Sequence, residues 1–158
     1  MEQRNSGFDM SGMSTASKIL LIAGVLFIVD LFLPWNRVCF SFAGVGACGS
    51  VSGFHGIGIL NFLIALAIVV MEVLLLAGVN VQTGTTAQKM QIEAYLAFGL
   101  LVFTVIKILV DLTAIYLFAW VGLILALVVA YGGYMRWQES KVAPSAPPPP
   151  PGGGGFTA

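Results

Sequence analysis

The chain has 158 residues, 58% of them hydrophobic and only 9% charged, with a mean hydropathy of +0.96. Water-soluble domains carry about a quarter charged residues, so the composition excludes an ordinary soluble fold and points to the membrane class. Seven basic and seven acidic residues cancel, which leaves no basic footprint for nucleic acid.

Residues 1–17 are polar and small, with Ser14, Thr15 and Ser17 available as N-caps. The first predicted span covers 18–35, from Lys18 to Trp35, and Pro34 ends it because proline cannot continue a helix. No strongly basic region precedes it and no convincing cleavage site follows, so it is expected to stay as a signal-anchor. A Gly/Ser-rich loop over 36–56 holds both cysteines. Span two is expected at 57–78, followed by a polar connection over 79–91. From Ile92 to Tyr134 only Glu93, Lys107 and Asp111 are charged, over about twice the length that one crossing needs. A break between Val110 and Ala114 divides it into spans at 92–110 and 115–135. The tail, 136–158, carries Pro147–Pro151 and then Gly152–Gly155. It is expected to be a disordered terminus, or else a strap that docks on a partner's aromatic groove.

The expected fold is therefore an all-α membrane protein, a four-transmembrane-helix bundle with a short disulfide-stapled outer loop. With four crossings both termini share one side. That side holds Arg4, Lys18, Lys89, Arg136 and Lys141, so basic residues place both termini in the cytoplasm. Trp35 and Tyr116 fall at the outer ends, and Tyr95, Tyr131, Tyr134 and Trp137 at the inner ends, as aromatic belts do.

Cys39 and Cys48 lie outside in this topology, where disulfides persist. The glycine-containing stretch between them suits a hairpin turn, so the two are expected to form a structural bridge. Within the spans, Asp30, Glu72, Lys107 and Asp111 are costly. A charge at mid-membrane costs about 2.5–3.5 kcal/mol on insertion scales, and such residues normally face inward and pair. Helix rise places Asp30, Asn61 and Lys107 near one level, about 6 Å inside the outer boundary, and helical spacing puts Asp111 on the Lys107 face of span three. They are expected to form a buried polar layer with Asp30 paired to Lys107, or alternatively the mouth of an ion path. Glu72 lies deeper, with no basic residue level with it. It is expected to be a neutral packing carboxyl, hydrogen-bonded by Tyr131, or alternatively a protonatable site. Gly122, Ala126 and Ala130 form a small-residue stripe that would admit a neighbouring span or a second protein. Two cysteines and one histidine are too few for a structural zinc site. No phosphate-binding loop and no Ser/His/Asp set occurs, so neither an enzyme nor a cofactor is expected.

The run Leu33-Pro34-Trp35-Asn36-Arg37-Val38-Cys39, with Ser52-Gly53-Phe54-His55-Gly56-Ile57-Gly58-Ile59-Leu60 opening span two, is similar to uncharacterised small four-span membrane proteins of Gram-positive bacteria. That resemblance implies a plasma-membrane location. Trp35 followed by Cys39-x8-Cys48 also resembles the claudin-type tetraspan proteins, which implies homo-oligomers. The leading expectation is a non-enzymatic accessory or structural subunit of a membrane assembly, with other membrane subunits or itself as partner. The alternatives are a small transporter or channel for protons, ions or a small solute, and a claudin-like homo-oligomeric protein. Outer loops large enough to grip a neighbouring cell are missing, which weighs against the last.

Overall fold

The computed structural model of the protein describes residues 13–42, 44–77, 86–111, 115 and 117–142. Tyr116, the break after Asp111, most of the 79–91 connection, residues 1–12 and the tail from 143 lie outside the described residues.

Helix α1 runs Thr15–Leu31. The Ser14 side chain caps it by accepting from the Ser17 backbone N–H at 3.3 Å, which satisfies one of the donors every helix start leaves open. The helix stops before Pro34 because proline disfavours helical geometry at the residue before it. The chain then forms a β-hairpin, β1 (Pro34–Phe42) and β2 (Val45–Ser52), paired antiparallel with Cys39 opposite Cys48. Gly44 supplies the turn with a φ of 84°, a conformation open to glycine at no steric cost. The sequence predicts an all-α fold with a disulfide-stapled loop and a hairpin turn over this stretch, and paired strands are the departure from it. The two-stranded sheet forms instead because the chain leaves α1 extended at Pro34 and returns after a tight turn. Helices α2 (Gly58–Leu76), α3 (Thr86–Val110) and α4 (Leu117–Val142) follow.

The helices form a ring in which α1 touches α2 and α4, and α3 touches α2 and α4. Small residues set the spacing. A methyl group on Gly24 of α1 would lie 2.9 Å from Val69 Cγ2 of α2, and one on Gly132 of α4 would lie 3.0 Å from Leu20 Cγ of α1. One on Gly133 would lie 2.5 Å from Ala97 Cβ of α3. At that separation the absence of side-chain bulk is what permits the contact. Between the helices, Leu20, Phe27, Ala65, Ile68, Leu100, Ala126 and Val129 are fully buried.

The outward faces are apolar too: Ile22, Leu63, Val102 and Ile124 are all exposed. Helices apolar all round are what a bilayer requires. Three of them, α2, α3 and α4, are long and apolar enough to cross a membrane. Helix α1, at 17 residues, is shorter and spans about 25 Å by helix rise.

Candidate functional site

Polar side chains are buried at two levels of the bundle, one at each end. At the hairpin end, the turn after α1 folds Trp35 back into the bundle, where it is 1% exposed. Its indole N–H donates to the Asp30 backbone oxygen and to Asp30 Oδ2, both at 3.0 Å. Its ring meets Phe27 edge-on, with centroids 6.3 Å apart. Gly122 lies directly beneath it, and a methyl group there would run into the Trp35 ring and come within 2.7 Å of Asp30 Oδ2. Across the bundle, Lys107 Nζ donates to the His55 carbonyl at 2.9 Å and to Asp111 Oδ2 at 3.4 Å. Asn36 Nδ2 donates to the same Asp111 oxygen at 2.7 Å. One helical turn deeper, Asn61 Nδ2 donates to Thr104 Oγ1 at 3.3 Å, and Thr104 donates on to the Leu100 carbonyl at 2.8 Å. A cavity of about 200 Å³ lies against Asn36, His55, Lys107 and Asp111.

Asp30, Asn61 and Lys107 are thus buried, and Asp111 half-buried, at one end of the bundle. The expected Asp30–Lys107 pair is not made. Asp30 is occupied by the Trp35 indole, and Lys107 turns to its own helix at Asp111 and to the His55 carbonyl. The reversal at Pro34 inserts Trp35 beside Asp30, a tertiary placement that helix rise alone does not reveal. Cys39 and Cys48 are joined as a disulfide.

At the opposite end all four helices meet at one residue. Arg136 of α4 donates through Nη2 to both oxygens of Glu72 on α2, at 3.0 and 3.1 Å, and to Ser17 Oγ on α1 at 2.5 Å. Its Nε lies 3.2 Å from Glu93 Oε2 on α3, and its Nη1 donates to Glu139 Oε2 at 3.3 Å. A planar guanidinium with five donors suits this many-sided role better than an ammonium would. A cavity of about 340 Å³ reaches Glu72, Ser17 and Arg136 from the start of α1 and the end of α2.

One expectation is corrected here, and one pair of alternatives is decided. Glu72 is an ion-pair partner, not a neutral carboxyl bonded to Tyr131, which points outward and is 58% exposed. The reason is that α4 continues to Val142, past the expected end at 135, and so carries Arg136 into the bundle. Gly122, Ala126 and Ala130 are buried against neighbouring elements, so the stripe packs the bundle internally and offers no surface to a second protein.

Arg136 and Glu93 are the residues that sequence reasoning missed, although a signal existed. In α4, Ala126, Val129, Gly133, Arg136 and Ser140 are all buried, spaced alternately three and four residues apart. That is the period of a helix face turned toward neighbours, and it runs unbroken through the arginine. The chain matches no family model, no curated protein and no solved structure.

Proposed function

We propose that the protein is a non-enzymatic accessory or structural subunit of a plasma-membrane assembly, and that its hairpin is the element it presents to a partner. The observation that carries this is the exposure of the hairpin. From Val45 to Ser50 every residue is exposed, Val45 by 75%. A two-stranded hairpin is marginal in water on its own. Here the Cys39–Cys48 bridge holds its middle and buried Trp35 anchors its base. Rigidity without burial in its own fold suits a surface that recognises something else. Conduction is disfavoured, because the two polar levels lie about 20 Å apart by helix rise, with Leu20, Phe27, Ile68, Leu100 and Val129 fully buried between them.

All four helices cross the membrane in this reading. Ser17 is level with Arg136, and Asp30 with Gly122, so α1 runs antiparallel beside fourteen residues' rise of α4, itself long enough to cross. Both termini are then cytoplasmic and the hairpin is outside. In a cysteine-free background, Gln138→Cys should react only with reagents that enter the cytoplasm, and Ser50→Cys with impermeant reagents on intact cells. The same sidedness for both would refute the orientation.

The functional test places a photo-crosslinker at Val45 in native membranes. The expected result is a discrete adduct with another membrane protein, weakened by Cys39→Ser with Cys48→Ser. Adducts only between copies of this chain would favour the homo-oligomeric reading. No adduct, with ion flux from the purified protein in vesicles, would favour the transporter.

A further inference from the structure

At the Arg136 level one guanidinium faces three carboxyl groups: Glu72 from α2, Glu93 from α3 and Glu139 from α4. The α1 contribution, Ser17, is uncharged. On α3, Lys89 stands one turn before Glu93 but forms no ion pair with it among the described residues. Three ionised carboxylates would leave two negative charges unbalanced.

The three are not equivalent. Glu72 takes two hydrogen bonds from Arg136 Nη2. The Glu139 side chain is 34% exposed and reaches water. Glu93 is 1% exposed, and although Oε2 lies 3.2 Å from Arg136 Nε, neither of its oxygens accepts a hydrogen bond from the described residues. An ionised carboxylate so placed is disfavoured, because burial removes its solvation and the Arg136 contact, made without a hydrogen bond and shared with Glu72 and Glu139, replaces only part of it.

A metal ion is a poor compensator, since no three acidic, histidine or cysteine side chains among the described residues are placed to hold one. We propose that Glu93 is a proton-binding site: it holds one proton in the packed bundle. The neutral carboxyl lets α3 lie against α4, and loss of the proton adds a second buried anion beside one cation and loosens that contact.

The test uses the full chain reconstituted in lipid. Infrared spectra at neutral pH should contain a protonated-carboxyl C=O stretch that loses intensity in Glu93→Gln and keeps it in Glu139→Gln. At neutral pH Glu93→Gln, which mimics the protonated form and spares the cost of taking up that proton on folding, should unfold at or above the wild-type temperature, whereas Glu72→Gln should unfold well below it. On moving from neutral to alkaline pH, the wild-type midpoint should fall further than that of Glu93→Gln, because the folded state then loses a proton that the unfolded state does not hold. An undiminished band in Glu93→Gln would overturn the proposal. So would a loss in Glu93→Gln as large as that in Glu72→Gln, because Glu93 would then be an ionised partner. A wild-type midpoint that tracks sodium or potassium at fixed pH, and stops doing so in Glu93→Gln, would assign a metal cation and overturn it as well.

Discussion

Replacing Arg136 with methionine is expected to destabilise the bundle by about 3–5 kcal/mol, the usual cost of removing one partner from a buried ion pair. Methionine fills much of the same volume, so lost packing contributes little. The penalty comes from Glu72, which is fully buried and would be left with no cation. Arg136→Lys should recover only part of the loss, because a single ammonium cannot reach Glu72, Glu93 and Ser17 together in the guanidinium's planar geometry. Combining Arg136→Met with Glu72→Gln should be less harmful than the sum of the two, since the double change leaves no stranded charge. Unfolding in mild detergent, followed by loss of helical signal, measures all four states. Additive losses would show that Arg136 and Glu72 do not depend on each other.

Trp35→Ala is expected to cost about as much, on the order of 3–5 kcal/mol, as large-to-small changes at buried aromatic positions do. The indole fills the space over Gly122 and Gly53 and meets Phe27 edge-on. It also donates a hydrogen bond to Asp30 Oδ2, while Asp30 Oδ1 lacks a partner among the described residues. Trp35→Phe should cost less, because the ring stays and only the donor goes. The two variants separate in a second measurement. Arg37 is exposed two residues beyond Trp35, so trypsin should cut there faster in Trp35→Ala, as the hairpin loses its anchor. Unchanged cleavage alongside a large stability loss would show that Trp35 fills the core without holding the hairpin.

The gap between expectation and structure at Glu72 has a specific origin. The expected fourth span ends at 135, which sets Arg136 outside the bundle. In the folded chain the buried face of α4 extends through Arg136 to Ser140, because the hydrogen bonds of the guanidinium to Glu72, Glu139 and Ser17 offset its desolvation. A charged residue therefore ends a helix in a hydropathy reading while continuing it in the structure. The stripe at Gly122, Ala126 and Ala130 shows the converse. Its composition announces close approach, but whether to a neighbouring helix or to another protein depends on which way α4 is rotated.

The sequence by itself determined the helical, membrane-class character of the protein, the end of the first helix near Pro34 and the bridge between Cys39 and Cys48. Each of these rests on local properties: runs of apolar residues, the missing N–H of proline, and two cysteines nine positions apart. Only the tertiary structure decided which polar groups meet. Asp30 takes Trp35 in place of Lys107, and Glu72 and Glu93 converge on Arg136 from 64 and 43 positions away. Residue spacing gives the depth of a side chain along its own helix. The rotation and neighbour of each helix, which choose its partner at that depth, are set by packing small residues against large ones across the whole bundle.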